Sequence, residues 1–244
     1  MPITHTRPIR SGAIKAVLFD LDDTLWPIMP VIQRAEYILH AWLHEHVPAV
    51  AQRWSIESLR ERRTALMQEN PKLQIDLWTL RHAGLTEAFI ACGADHAMVN
   101  DAMAVFSDAR NAVTPFDDVI PVLDRLARCF LLGSISNGFA DLGVIGLAPL
   151  FATSLAAHTF GRGKPDPAIF HAACTALGIA PREAVYVGDD LTLDVEAAQA
   201  AGLRGVWMNR FGRVAPETIA PDATCRNLSE LEDWLCDTQD AADA

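Results

Sequence analysis

The feature that most constrains this chain is a short apolar run, Ala16–Phe19, that leads directly into Asp20 and Asp22. A run of consecutive apolar residues predicts a strand buried on both faces, as in a parallel sheet. Carboxylates at the end of a buried strand are costly unless a cation or hydrogen bonds offset their repulsion. If this segment stood alone, a solvated acidic turn would explain it.

The same arrangement returns late in the chain, where the apolar run Ala184–Val187 is followed by Gly188, Asp189 and Asp190. In open α/β sheets, ligands bind at the carboxyl ends of the strands. Two acidic strand ends that are neighbours in a sheet make a site for a hard cation such as Mg²⁺. The repeat therefore favours a ligand site over an acidic turn.

Further apolar runs predict a single sheet, and the helical patterns between the later runs indicate βαβ units with parallel pairing. The predicted fold class is α/β, with a Rossmann-like parallel sheet as its core. Asp166, Pro167 and Gly178 suit the N-cap, first turn and left-handed end of one helix. The predicted strands are Ala16–Phe19, Phe130–Ile135, Thr153–Ala157, Ala184–Val187 and Gly205–Met208.

Residues 30–111 differ from the rest of the chain in their sequence pattern: they have little strand character and several amphipathic helical patterns. This segment is far longer than an ordinary connection between a strand and a helix. Ser58 and Glu61 fit a capping box, and Asn70-Pro71 marks a break between helices. The predicted units are a helical cap of residues 28–113, a catalytic core of residues 12–27 and 114–237, and flexible termini at residues 1–11 and 238–244.

Composition narrows the classes of function. The formal net charge is −11, and there is no lysine or arginine cluster of the kind that binds nucleic acid. The five cysteines are scattered, which is typical of reduced thiols in a cytoplasmic protein. Glycine, proline and threonine interrupt the apolar stretch Leu142–Gly161, so no membrane span is predicted. We expect a monomer or homodimer that binds a small molecule.

Four polar motifs follow predicted strands or open a helix. Each is weak evidence alone, because a serine at a strand end is usually a turn residue and a lysine before a proline is usually solvated. Their combination at the ends of parallel strands is specific. The motifs are Asp20-x-Asp22-x-Thr24, Ser136-Asn137-Gly138, Gly163-Lys164-Pro165-Asp166, and Gly188-Asp189-Asp190 followed by Asp194.

This set resembles the four motifs of the haloacid dehalogenase superfamily, and the match extends over nearly the whole chain. The resemblance implies that Asp20 is a nucleophile that forms an aspartyl-phosphate. It implies that Asp22 is the general acid for the leaving oxygen and then the base for water. Dehalogenases of this superfamily lack an acid at that position, because halide leaves without a proton. Asp22 therefore favours phosphoryl transfer.

The resemblance also assigns the groups that bind phosphate and metal. Ser136, Asn137 and Lys164 would hold the phosphoryl group, and Asp189 would complete a Mg²⁺ site with Asp20 and the carbonyl of Asp22. Positive charge is needed there because a carboxylate must attack a dianion. The remaining motif residues are expected to orient or stabilise their neighbours, with direct metal binding left open for Asp190; they are Thr24, Asp190 and Asp194.

Several segments are similar to bacterial phosphatases that act on flavin mononucleotide and on 5-amino-6-(5-phospho-D-ribitylamino)uracil. They are Asp20–Leu25 with Pro30-Val31-Ile32 and Arg34, Glu69-Asn70-Pro71, Gly161–Pro165, and Val187–Thr192 with Asp194-Val195. That similarity implies a small phosphate ester with a planar ring as substrate and a place in riboflavin biosynthesis. Trp26 and Arg34 lie nearest the first motif, so we expect them to contact the substrate, although a tyrosine is expected at position 26. The alternatives are a phosphosugar or phosphoglycolate-type phosphatase, a phosphomutase, or a non-catalytic binding protein.

Overall fold

The structure is a computed structural model that describes residues 14–214 and 218–243. Its centre is a six-stranded, fully parallel sheet in the order β3-β2-β1-β4-β5-β6. The strands are β1 (Ala16–Phe19), β2 (Leu131–Ser136), β3 (Thr153–Ala156), β4 (Ala184–Gly188), β5 (Arg204–Met208) and β6 (Ala223–Cys225). The predicted α/β fold with a Rossmann-like parallel sheet is confirmed.

The predicted strands correspond to β1 through β5, with ends that differ by at most one residue. The sixth strand, β6, was not predicted. It is only three residues long and only Cys225 is buried, so it leaves no apolar run in the sequence. Short edge strands are held by pairing with their neighbour, which a local pattern does not record.

Helices fill the connections between the strands. Between β1 and β2 lie α1 (Ile28–His46), α2 (Pro48–Arg53), α3 (Ile56–Glu69), α4 (Leu77–Ala91) and α5 (Val99–Asn111), which we call the insert, and then α6 (Val119–Leu126). The later helices are α7 (Leu142–Ile145), α8 (Ala157–Phe160), α9 (Pro167–Ala176), a π-helix (Leu191–Glu196), α10 (Ala197–Ala200) and α11 (Leu228–Asp243). Short 3-10 turns span Pro71–Gln74, His96–Met98, Ala148–Leu150 and Pro181–Glu183.

The insert has a hydrophobic core of its own, which includes Leu43, Phe89 and Phe106. The two faces of the sheet are covered separately, one around Val17 and Phe19 and the other around Leu18 and Tyr186. Alternate residues of β1 thus point into different layers, as a strand buried on both faces requires.

The predicted helix ends hold in one case and fail in another. Asp166 caps α9 by accepting a hydrogen bond from the Ala168 amide at 2.9 Å, and Gly178 adopts φ 67° after the helix. The capping box at Ser58 is wrong: Ser55 is the N-cap of α3 and accepts from the Ser58 amide at 3.2 Å. Ser58 lies in the first turn, where its own hydroxyl donates to the Ser55 carbonyl.

The last described helix, α11, continues to Asp243. The predicted flexibility of residues 238–244 stays a prediction, and residues 1–11 lie outside the described part. Leu228, Leu231 and Leu235 supply the buried face that carries this helix. Among the described helices, none has both the length and the apolar character needed to cross a membrane.

Candidate active site

The candidate site lies where the order of the strands reverses. Strand β1 is flanked by β2 on one side and β4 on the other, so the chain passes to opposite sides of β1 in its two halves. In doubly wound sheets, ligands bind in the crevice at this switch point. Asp20 follows β1, with its amide donating to the Val187 carbonyl at 2.8 Å, and Asp189 follows β4.

Lys164 is the centre of the buried polar network. Its Nζ donates to Asp20 Oδ1 at 2.6 Å, Asp194 Oδ1 at 2.5 Å and the Tyr186 hydroxyl at 2.9 Å. Burial disfavours the charged ammonium, but the negative charges of Asp194 and Asp20 outweigh it, so the pKa of Lys164 lies well above its ordinary value. The side chain is therefore a fixed positive charge against the candidate nucleophile.

Three carboxylates converge beside this lysine. Oxygens of Asp20, Asp189 and Asp194 lie within 4.8 Å of one another. Burial raises the pKa of Asp20 despite Lys164, and neighbouring carboxylates add to the rise. Burial also raises the pKa of Asp189 to about 6, although Arg213 opposes the rise. The donors are all carboxylate oxygens and their charges repel, so the cluster fits a hard divalent cation such as Mg²⁺.

The loop after β4 brings Asp194 to this position. Asp190 caps the π-helix, because its Oδ1 accepts hydrogen bonds from the Thr192 and Leu193 amides, both at 2.8 Å. The Asp190 amide donates to Asp194 Oδ2 at 2.9 Å. A Cβ at Gly188 would lie 2.3 Å from Asp194, so only glycine leaves room for this carboxylate. Asp194, expected to orient its neighbours, is a member of the cluster itself.

Asp22 lies outside the carboxylate cluster. Its Oδ1 accepts from Trp26 Nε1 at 2.8 Å, and its two oxygens accept from Arg110 Nη2 at 2.6 and 2.7 Å. Trp26 has no exposed surface and packs in the core below the sheet edge. The expectation that Trp26 contacts the substrate is therefore wrong, because its ring has no free face and its indole N–H holds Asp22.

The loop after β2 contributes Ser136 and Asn137. The Ser136 hydroxyl is buried and accepts from the Gly138 amide at 2.9 Å. The Asn137 side chain donates to the Lys164 carbonyl and accepts from the Lys164 amide, both at 2.8 Å. Both ends of this amide are thus engaged, so Asn137 positions the lysine loop, and its contact with a phosphoryl group stays a prediction.

Thr24 differs from its predicted role, and Arg34 makes contacts that were not predicted. The Thr24 hydroxyl is buried and has no hydrogen-bond partner within the described part of the chain, so it does not stabilise the turn as expected. The turn is held instead by Arg210 Nε, which donates to the Thr24 carbonyl at 2.7 Å. Arg34 donates to the carbonyls of Ala109 and Ala112, so its side chain hydrogen-bonds the C-terminal end of α5.

Sequence reasoning missed three residues of the site. Arg110 binds Asp22 from a distance of 88 residues along the chain. Arg213 Nη2 donates to Asp189 Oδ2 at 2.6 Å, and its side chain is 47% exposed. Tyr186 lies within β4, and its hydroxyl donates to the Ile135 carbonyl at 2.8 Å. None of the three has a local pattern; only the placement of Tyr186 in a strand next to a catalytic motif offered a signal.

A cleft of about 460 Å³ lies between the insert and the core. The insert contributes Trp78 and Asn111, and the core contributes Phe139 and His158. The Nδ1 atom of His158 is buried without a hydrogen-bond partner among the described residues. This volume and mixed lining are in the range of small-molecule sites.

Similarity to known proteins identifies the family of this chain. The sequence profile of haloacid dehalogenase-like hydrolases matches residues 14–202. The chain therefore belongs to the haloacid dehalogenase-like hydrolase family. The crystal structure of 2-haloacid dehalogenase from Pseudomonas syringae pv. Tomato DC3000 superposes with a TM-score of 0.85 at 39% identity, covering 91% of this chain and 98% of that one.

Phosphatases are prominent among the similar sequences. The 5-amino-6-(5-phospho-D-ribitylamino)uracil phosphatase YigB of Escherichia coli is 32% identical over 211 residues, 83% of this chain and 85% of that protein. The glyceraldehyde 3-phosphate phosphatase of Methanopyrus kandleri is 31% identical over 204 residues, 81% of this chain and 84% of that protein. The family match and these relatives confirm the prediction of a phosphoric monoester hydrolase that acts on small phosphate esters.

Proposed function

We propose that the protein is a Mg²⁺-dependent phosphatase that acts through an aspartyl-phosphate on Asp20. The observation that carries this proposal is the sheet-edge cluster, in which one buried lysine and three converging carboxylates surround the position where a phosphoryl group would be attacked. Asp20, Asp189 and Asp194 would hold the metal, which when bound supplies positive charge against a phosphate dianion.

The chain's own residues supply the remaining steps. Asp20 attacks phosphorus while Lys164 neutralises charge on the attacking and transferring groups. The leaving oxygen takes a proton from Asp22, which later removes a proton from the water that hydrolyses the aspartyl-phosphate. Ser136, at the end of β2, donates its hydroxyl to a phosphoryl oxygen. These four side chains project from the same edge of the sheet.

Asp22 supports phosphoryl transfer over dehalogenation, even though a structural relative is named a 2-haloacid dehalogenase. An alkoxide needs a proton to leave, whereas a halide does not. Dehalogenation would not need an acid held by Trp26 and Arg110 two residues after the nucleophile. A phosphomutase remains a second outcome of the test, since it would share the same first step.

For the substrate, we propose a phosphorylated ribityl chain on a planar ring, either flavin mononucleotide or 5-amino-6-(5-phospho-D-ribitylamino)uracil. The Escherichia coli relative supports this choice. The position of the cleft also supports it. Two residues of its lining directly follow Arg110 and Gly138 in the sequence, and Arg110 and Gly138 lie against Asp22. Trp78 and Phe139 line the cleft and offer aromatic surface to a ring.

The test is release of inorganic phosphate by the purified protein from a panel of phosphate esters with Mg²⁺. We expect turnover, with higher kcat/KM for the two ribityl phosphates than for glyceraldehyde 3-phosphate or phosphoglycolate. Trp78→Ala should reduce that preference while p-nitrophenyl phosphate is still hydrolysed. If phosphoglycolate is the best substrate and flavin mononucleotide is untouched, the substrate proposal is wrong and the chemistry survives.

Asp20→Asn tests the chemistry itself. We expect it to lower kcat by about 10⁴-fold or more, as loss of a nucleophile does elsewhere. The matched control is Asp23→Asn, because Asp23 is an acid of the same loop whose side chain accepts from the backbone amide of Ile28, at the start of α1, at 2.9 Å. Halide release from 2-chloropropionate, or isomerised sugar phosphate without free phosphate, would overturn the phosphatase proposal.

A further inference from the structure

Arg110 is a buried arginine that the insert delivers to the edge of the sheet. It lies in the last turn of α5 and is 1% exposed. Its Nη2 donates to both oxygens of Asp22, while Nη1 is buried with no partner among the described residues. Within the described part of the chain, Asp22 is the only carboxylate bound to this guanidinium. The ion pair between Arg110 and Asp22 is therefore not shared with another carboxylate of the described residues.

Asp22 is enclosed from two other directions. Trp26 Nε1 donates to Oδ1 at 2.8 Å. A Cβ at Gly138 would lie 2.8 Å from Asp22 Oδ2 and 3.3 Å from an η-nitrogen of Arg110, so the β2 loop closes directly over the pair. One donor comes from the same loop as Asp22 and the other from the insert. The position of this carboxylate thus depends on α5 lying against the core.

We propose that Arg110 is a positioning residue for the leaving-group step: it fixes Asp22 where the departing oxygen can receive a proton. This inference rests on the proposed phosphatase function. A general acid must lie within hydrogen-bond reach of the leaving oxygen, and an aspartate on a loop has two side-chain torsions to fix. A charge-assisted bond from an arginine fixes both oxygens at once. The insert then contributes to the reaction, because its arginine positions the general acid.

A merely structural ion pair between the insert and the core would share these contacts, so the test must separate the two roles. Arg110→Met and Arg110→Lys are compared with Arg81→Met, a buried arginine of the insert whose contacts lie within the insert. Turnover is measured with an alkyl phosphate and with p-nitrophenyl phosphate, whose phenolate leaves with little help from an acid. Circular dichroism and thermal melting establish that each variant is folded at the assay temperature.

We expect Arg110→Met to lower kcat for the alkyl phosphate by about 10²-fold, within the range of general acid catalysis, and for p-nitrophenyl phosphate by less than about tenfold. KM should change little, and Arg110→Lys should recover part of the loss. Arg81→Met should leave the ratio of the two rates unchanged. Equal losses on both substrates in a folded Arg110 variant would overturn the positioning role.

A double-mutant cycle with Asp22→Asn gives an independent measure. If Arg110 acts through Asp22, the double variant should be no slower on the alkyl phosphate than Asp22→Asn alone; additive losses would overturn the proposal. If Arg110→Met does not fold, Arg110→Lys carries the same cycle. A wild-type protein that hydrolyses no phosphate ester refutes the proposed function instead, so the two failures are distinguishable.

Discussion

The protein has two clusters of charged side chains: carboxylates are in excess in one and arginines in the other. This difference distinguishes the candidate active site from a structural ion network. At the edge of the sheet, three carboxylates lie close together and two of them bind the same lysine, so the carboxylates outnumber the lysine. In the insert, three arginines surround one glutamate, so positive charge is in excess. The sheet-edge cluster comprises Asp20, Asp189, Asp194 and Lys164, and the insert cluster comprises Glu36, Arg60, Arg63 and Arg81.

The insert cluster fastens helices α1, α3 and α4 together. Glu36 accepts from Arg60 Nε at 2.7 Å and also from Arg63, and Arg81 stacks on Phe106 with Cζ 3.5 Å from the ring centre. Burial, and then the charge of Arg63, lower the pKa of Arg81 to about 9. The space beside it is about 10 Å³, room for a single water. That space is too small for a ligand anion.

The sheet-edge cluster differs in access as well as in sign. Asp189 is partly exposed, and its partner Arg213 is an exposed side chain that can move away. A group of carboxylates that a cation can reach can act as a binding site, whereas arginines that share one glutamate between helices hold those helices together. Composition alone does not distinguish these cases, because both are buried ion networks.

The largest effect is expected where the sheet-edge balance is broken. Lys164→Met leaves Asp20 and Asp194 buried without their cation, which should lower the free energy of unfolding by about 3–5 kcal/mol. It should also lower kcat by about 10²–10³-fold, the usual loss of a charge-stabilising group. Urea denaturation with and without Mg²⁺, together with phosphate release, measures both.

The metal dependence makes this prediction specific. Because the carboxylates of the variant are uncompensated, added Mg²⁺ should stabilise Lys164→Met more than it stabilises the wild-type protein. A variant whose stability ignores Mg²⁺ would show that the three carboxylates do not act as a cation site.

The insert cluster should break without any effect of metal. Glu36→Gln leaves Arg63 and Arg81 buried without a counter-charge, so the free energy of unfolding should fall by about 3–5 kcal/mol. The folded fraction should keep wild-type kcat, since Glu36 does not face the sheet edge. Arg60→Met is the control, because that side chain is 42% exposed and its loss should cost about 1 kcal/mol or less. A strong Mg²⁺ dependence in Glu36→Gln would remove the distinction between the clusters.

A single ion pair outside both clusters gives a reference with a pH signature. Burial opposes ionisation of Asp118, but hydrogen bonds from Arg210 and the Leu228 amide outweigh it, so the pKa of Asp118 lies below its usual value. Its stabilisation is therefore present above the unfolded pKa of about 3.9 and is lost as the pH falls through the lower folded value. Asp118→Asn should cost about 1 kcal/mol at neutral pH.

The measurement for Asp118 is urea denaturation across pH. The difference in stability between wild-type protein and Asp118→Asn should be constant above about pH 5 and shrink below about pH 4. A difference that grew on acidification would mean that the carboxylate is held in its neutral form, contrary to the bonds it accepts.

The smallest effect concerns the exposed rim of the sheet-edge cluster. Arg213 binds Asp189 and would compete with a metal for that carboxylate. Arg213→Gln should therefore lower the Mg²⁺ concentration for half-maximal activity by about two- to fivefold, which corresponds to an exposed ion pair of up to about 1 kcal/mol. A Mg²⁺ titration of activity measures the shift. A higher requirement in the variant would show that Arg213 assists the metal instead.

The sequence predicted those parts of the fold that leave a local pattern. Strands β1 and β4 are uninterrupted apolar runs, and their acids follow them directly, so Asp20 and Asp189 could be placed at one edge. The side-chain direction of Trp26 could not be predicted, because an aromatic residue near a motif has the same pattern whether it faces the site or the core. In the structure its ring lies in the core and its indole N–H donates to Asp22.

Contacts over long sequence distances could not be predicted for a different reason. Arg110 and Asp22 are 88 residues apart, and Arg210 and Thr24 are 186 apart. Such pairs depend on how the insert and the last strands dock onto the first loop, which a single sequence does not record. The glutamate shared by three arginines in the insert was missed for the same reason, since Glu36 lies on α1 and its partners lie on α3 and α4.

Gly188 has a consequence for how sequences of this kind can diverge. The carboxylate of Asp194 occupies the space that a side chain at position 188 would need, 2.3 Å from its Cβ. The two positions are therefore linked: a larger residue at 188 is compatible only with a shorter one at 194, and either change removes a partner of Lys164. Among diverging copies of this gene, loss of both together would mark a lineage that has kept the fold and abandoned the chemistry.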